Sequence, residues 1–193
     1  MHGDISHIFF NMFGLWMFGT PLEQMWGKKK FIFFYLSTGF GAAALQLLLY
    51  YYQIDYVNTA LNELGLTNPD INNFYSTAEL PTSAINEIGE GSLSSAFNAY
   101  RSVMVGASGA LYGVLVGFAM LFPNAQLMLL FPPIPVKAKF LVPILIFADL
   151  FFGFSSYSIG PIAHFAHVGG AITGLAMMWY WKKNQFDNNR WDS

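Results

Sequence analysis

Cysteine is absent from this chain, and charge is scarce. Its 193 residues include nine Lys or Arg and eleven Asp or Glu, together 10%. The missing thiols exclude disulfides and thiolate metal centres. The net charge of −2 excludes the basic surface of a nucleic-acid binder, so no nucleic-acid partner is expected. A soluble domain carries about 25% charged residues, and this chain falls far below that. What fills the space is apolar: 54% of the residues, with 20 Phe, 10 Tyr and 5 Trp. That composition belongs to the membrane class.

Apolar segments fall at residues 5–19, 31–52, 102–122, 140–154 and 162–181. A full span needs about 20 residues, so 5–19 and 140–154 are short, with ends expected in protein or water. We expect five spans in one membrane domain, residues 1–183, followed by a short tail at 184–193. Lys28, Lys29, Lys30, Lys137, Lys139, Lys182, Lys183 and Arg190 alternate onto one side of such a bundle, and only Arg101 falls on the other. The positive-inside rule makes the lysine-rich side cytoplasmic. The outer segment 53–100 then holds Asp55, Glu63, Asp70, Glu79, Glu87 and Glu90 without a single Lys or Arg. Trp179, Tyr180 and Trp181, just before Lys182 and Lys183, read as an interfacial aromatic belt.

Breakers subdivide the chain. Pro21 biases Thr20 away from helix, so the first helix is expected to close at Gly19-Thr20-Pro21, with Leu22–Gly27 as a short amphipathic turn. In the outer segment, Thr59–Leu66 and Ser94–Tyr100 suit short surface helices, and Asn68-Pro69-Asp70 reads as a turn. Phe131-Pro132-Pro133-Ile134-Pro135 cannot be helical throughout and is expected to turn the chain between the third and fourth spans.

The polar residues inside apolar segments carry the functional signal, because such groups are costly in hydrocarbon unless paired or functional. Gly106-Ala107-Ser108-Gly109 opens the third span. Gly109, Gly113 and Gly117 then recur every fourth residue, a stripe that lets another helix approach closely. In the last span Gly170 and Gly174 repeat that spacing, and His167 projects from the same face. If the two glycine faces pack together, His167 comes within reach of Ser108. A hydroxyl beside an imidazole is the minimum equipment for nucleophilic hydrolysis. Tyr112 lies one turn below Ser108, where its ring can support the imidazole.

His7 and Asn11, four residues apart in the first span, can donate to a developing oxyanion alongside the Ser108 N–H. Plainer readings exist for each. The serine motif alone equally serves helix packing, and His7 with Asn11 can be interhelical hydrogen bonding worth about 0.6–2 kcal/mol. Asp149 reads as a packing or cavity residue. His7, His164 and His167 lack a clean metal-ligand set, so no metal and no cofactor is expected.

With these residues in hand, the chain resembles the rhomboid family of intramembrane serine proteases. Three blocks carry the resemblance in order: His7-Ile8-Phe9-Phe10-Asn11, then Gly106-Ala107-Ser108-Gly109 with Tyr112, then Ala166-His167-Val168-Gly169-Gly170 with Gly174. The stretch Leu22-Glu23 to Gly27 also matches. The resemblance implies an all-α membrane protein, a rhomboid-like helical bundle holding five helices of a six-helix core, the first being expected upstream of this sequence. It implies a Ser108–His167 dyad without a third carboxylate, His7 and Asn11 at the oxyanion, Tyr112 orienting His167, and His164 in support. Its implied partners are the lipid bilayer and single-span membrane proteins, cut near the outer face after a small side chain. Its implied place is a bacterial inner membrane, with the site outward and the C-terminus cytoplasmic. The alternative is a catalytically silent relative that binds membrane helices without cutting them.

Overall fold

Helices in this chain follow its apolar runs, but their ends follow backbone geometry more than the hydropathy pattern. The computed structural model describes residues 5–103, 106–128, 134–154 and 164–184. Among them are eight helices and one small β-ribbon: α1 (Ile5–Trp26), α2 (Lys28–Glu63), α3 (Asn68–Thr77), α4 (Thr82–Ile88), α5 (Glu90–Arg101), α6 (Ser108–Leu121), β1 (Gln126–Met128), β2 (Pro135–Lys137), α7 (Ala138–Phe154) and α8 (His164–Asn184). The chain divides into two compact units, Met1–Gln46 with Val105–Ser193, and Leu47–Met104.

Several boundaries correct the expectations. α1 does not close at Gly19-Thr20-Pro21 but carries Pro21 inside the helix. The Thr20 hydroxyl bonds the Trp16 carbonyl at 2.6 Å, and Phe18 and Leu22 are buried on either side of the proline. Packing on both flanks holds the helix through a residue that lacks an N–H. The break falls instead at Gly27, whose φ of +77° favours glycine. α6 is shorter than the expected 102–122, because Gly106 takes φ +94° and delays the helix to Ser108. Its 14 residues span about 21 Å, short of a hydrocarbon core of about 30 Å. Of the described helices, α2 is the one long and apolar enough to cross a membrane by length and composition. The chain on either side of the Pro-rich stretch forms a two-stranded antiparallel ribbon with Leu127 opposite Val136; residues 129–133, and with them most of that stretch, lie outside the described set, as does the tail beyond 184. Pro135 is the first residue of its strand, where a missing N–H is tolerated.

Three helices interlock in the first unit. A Cβ added at Gly174 would lie 2.9 Å from the Gly113 carbonyl oxygen, and one at Gly170 would collide with the Gly109 carbonyl. The backbones of α6 and α8 therefore touch, as the glycine spacing suggested. α2 fills the groove beside them: Ala42 covers Gly109, Thr38 covers Gly113 and Leu45 covers Gly169. The fully buried Thr38 hydroxyl reaches the carbonyls of Tyr35 (2.9 Å) and Ala110 (3.2 Å). At one end Trp181 packs edge-on to Trp26 at 5.4 Å, with Lys30 Nζ 4.3 Å above its ring. Trp179 and Tyr180 stay exposed, so the aromatic belt is divided between packing and surface. Ile5, Phe9, Trp16, Phe147, Phe151, Ile172 and Leu175 are also exposed, the apolar exterior expected of a bilayer-facing bundle.

The second unit has its own core of Val57, Leu61, Ile71, Phe74, Tyr75, Ala84, Leu93 and Ala96. The first suggested surface helix is instead the end of α2, which runs on to Glu63. Asn68-Pro69-Asp70 opens α3 rather than forming an isolated turn, with Asp70 accepting from the Thr67 N–H at 2.8 Å and its hydroxyl at 2.6 Å. Those two bonds hold the Asp70 carboxyl below its ordinary range, the side-chain bond contributing most.

Gly170→Ala is expected to destabilise the protein by about 1–3 kcal/mol, since an added methyl must force packed backbones apart. Gly91→Ala meets open space on an exposed helix and is expected to be neutral or to stabilise by up to about 1 kcal/mol. Unfolding of both variants in the same detergent measures the contrast.

Candidate active site

The close approach of α6 and α8 sets two side chains face to face. Ser108, the first residue of α6, places its Oγ 2.8 Å from Nε2 of His167, in the first turn of α8. The Tyr112 ring stacks on the His167 imidazole with centroids 4.3 Å apart and planes inclined by 7°. The imidazole is thereby confined between an aromatic face and a hydroxyl. Ser108, Tyr112 and His167 are each part-exposed rather than sealed, so water and a ligand can reach the hydroxyl.

The other side of His167 holds a group that the sequence reading placed in packing. Asp149 Oδ1 lies 3.0 Å from His167 Nδ1 and 2.6 Å from His164 Nδ1. An ionised carboxylate only accepts hydrogen bonds, so both Nδ1 atoms carry protons in this arrangement. The neutral His167 then presents its Nε2 lone pair to the serine, the tautomer that can accept a proton. Asp149 and His164 are both buried, and His164 Nε2 has no hydrogen-bond partner among the described residues. Two signals for Asp149 were present in the sequence. It is the one carboxylate of the 17-residue apolar α7, where an ionisable group is costly. Downstream, two histidines stand three residues apart on one helix face.

α1 contributes the remaining candidates. The His7 ring lies against Gly106, where an added Cβ would sit 2.7 Å from His7 Cε1 and Nε2. Asn11 is buried and donates through Nδ2 to the His7 carbonyl at 2.8 Å, while its Oδ1 has no partner among the described residues. One amide hydrogen of Asn11 is thus committed to its own helix and one remains. Ser108 adds its backbone N–H, since the first N–H groups of a helix have no partner within it. Gly109, Gly113, Gly170 and Gly174 form the seam beneath these groups, and Gly117 continues it toward Leu22 and Phe34, each 3.3 Å from a Cβ built there. Among the described residues no group of three or more His, Asp or Glu has the arrangement of a metal site.

Gly106 is required twice over, by its positive φ and by the His7 ring. Gly106→Ala is expected to destabilise by about 1–2 kcal/mol from backbone handedness alone, with further displacement of His7. Thermal unfolding beside the neutral Gly91→Ala control measures it.

Comparison with known proteins gives one family and one relative. The Rhomboid domain family model matches residues 1–57 and 82–184. The chain is 27% identical over 184 residues to Rhomboid protein 1, mitochondrial, of Saccharomyces cerevisiae, an alignment covering 94% of this chain and 40% of that protein. The chain therefore spans less than half the length of that curated relative. No solved structure matches.

Proposed function

The chain belongs to the rhomboid family, and from that premise we propose that it is an intramembrane serine endopeptidase with Ser108 as nucleophile and His167 as general base. The observation that carries the reading is the 2.8 Å contact between Ser108 Oγ and His167 Nε2, with the imidazole held by Tyr112 and Asp149.

In the proposed reaction, Ser108 Oγ attacks the scissile carbonyl as its proton passes to His167 Nε2. The tetrahedral oxyanion is met by the Ser108 N–H, His7 and the uncommitted amide hydrogen of Asn11; removing one such donor typically costs about 2.7–4 kcal/mol. His167 then gives its proton to the departing amine, leaving an acyl-serine. Water attacks that ester with His167 again taking the proton, which releases the carboxylate product and restores Ser108.

Residues 1–183 act in this reading as one membrane domain. The substrates implied by the family are single-span membrane helices cut near the outer face after a small side chain, and a helix-destabilised segment suits them because a scissile peptide must leave its helical hydrogen bonds to reach Ser108. The lysine-bearing ends lie in the cytoplasm by the positive-inside rule, and the membrane is a bacterial inner membrane. No cofactor takes part.

A fluorophosphonate probe is expected to label Ser108, and the protein in liposomes is expected to cleave a single-span helical substrate. Ser108→Ala and His167→Ala are each expected to lower cleavage at least about 10³-fold. A protein that binds the helix but shows neither labelling nor cleavage would overturn the protease reading in favour of a silent helix-binding relative.

A further inference from the structure

We propose that Asp149 is a positioning residue for His167, and that His164 secures Asp149 in that task. This inference rests on the serine-protease reading for its kinetic consequence, but its structural content stands apart from it. A single carboxylate oxygen serves both imidazoles through their Nδ1 atoms, at 2.6 Å for His164 and 3.0 Å for His167. The shorter bond goes to the histidine that touches neither Ser108 nor any other described hydrogen-bond partner.

Three properties support a positioning role over simple packing. A lone carboxylate on an apolar helix needs compensation, and Asp149 obtains it from two donors on α8 rather than from its own helix. Its acceptor-only chemistry places the His167 proton on Nδ1, which leaves Nε2 free to accept from Ser108. Its geometry also sets the imidazole plane, because the Nδ1 bond on one edge and the Tyr112 stack on the face leave the ring little freedom. His164 completes the device. It sits one helical turn before His167, and its bond to Oδ1 fixes where that oxygen stands. Gly153, one turn after Asp149 on α7, allows the approach: a Cβ there would lie 3.4 Å from the His164 Cβ and 3.0 Å from the Phe165 ring.

When acyl transfer proceeds, His167 takes the serine proton at Nε2 and becomes an imidazolium with both nitrogens protonated. The facing groups are then Asp149 on α7, Tyr112 and Ser108 on α6, and His164 on α8. Asp149 is the one anion among them. It stabilises the cation where it stands and remains unprotonated, returning His167 to the same tautomer after the proton leaves.

Two measurements test this. Solid-state ¹⁵N spectroscopy of histidine-labelled protein in liposomes, with His167 assigned by loss of its signal in His167→Gln, reads the tautomer directly. The wild-type protein is expected to show His167 protonated at Nδ1 and bare at Nε2, and Asp149→Asn is expected to move it away from that state. Protonation of His167 at Nε2 in the wild type overturns the proposal without reference to activity. In kinetics, Asp149→Asn is expected to lower kcat by about 10²–10⁴-fold while KM changes less than about threefold and the melting temperature holds. His164→Ala is expected to lower kcat several-fold alone and to add nothing on top of Asp149→Asn, the signature of residues acting in series. A kcat for Asp149→Asn within threefold of wild type, or additive losses in the double variant, overturns it. A wild type that neither labels nor cleaves defeats the protease reading instead, and leaves the tautomer to decide the role of Asp149.

Discussion

The backbone contact between α6 and α8 is the constraint on which everything else in the site depends. At Gly109 against Gly170 and at Gly113 against Gly174 there is no room for a methyl group. In a bilayer the hydrophobic effect gives helices no reason to associate, since lipid is as apolar as their side chains. Association then rests on dispersion, which falls away steeply with separation, and on hydrogen bonds between helices. Glycine maximises the first by letting the backbones touch. It also fixes the distance of the proposed reaction: Ser108 and His167 stand on opposite sides of this seam, and their 2.8 Å bond depends on the near-contact of the helices. A misplacement of about 1 Å at such a pair can cost about 10²-fold in rate. Packing and chemistry are thus two consequences of one geometry.

The polar side chains of the first unit follow the same logic of mutual satisfaction. Thr38 spends its hydroxyl on carbonyls of α2 and α6, so it ties two helices together at the level of Gly113. Asn11 spends one amide hydrogen on the His7 carbonyl. Asp149 receives two imidazoles. What is left unpaired is small: Asn11 Oδ1, Gln46 Oε1 and His164 Nε2 among the buried side-chain atoms described. Two of these three belong to residues of the candidate site or its support, which is where an otherwise satisfied bundle holds back polar capacity.

Sequence alone was most informative where spacing and chemistry agreed. Gly109, Gly113, Gly170 and Gly174 at intervals of four pointed to a shared seam, and that seam in turn put Ser108 opposite His167. Helix ends were less legible because hydropathy does not encode them. Gly27 ends a helix and Gly106 delays one by φ, which a composition window averages away, and Pro21 fails to end one because Phe18 and Leu22 are anchored by tertiary packing. The outer segment hid its helices for another reason. Its core residues, such as Leu61, Phe74 and Leu93, come from the end of α2 and from the short helices α3 and α5, so no single window shows a periodic apolar face. Asp149 was assigned to packing or a cavity because its partners are contributed by another helix 15 and 18 residues away; its isolation on an apolar helix signalled a need for partners without saying which.

The start of α6 explains why a serine at that one position can do so much. Gly106 turns the chain with a positive φ, and the helix begins two residues later at Ser108. A helix start leaves N–H groups without intrahelical acceptors and concentrates the positive end of the helix dipole. A hydroxyl on that same residue therefore emerges beside its own backbone donor, where negative charge is favoured. Moving the serine one turn into α6 would bury its N–H in the helix ladder and separate the nucleophile from the donor. Lengthening the helix by one turn at its start would have the same effect, and the glycine that prevents this is the one against which His7 rests. The proposed nucleophile, its proposed oxyanion donor and the approach of α1 are consequently set by a single backbone turn, just as the distance to His167 is set by a single glycine seam.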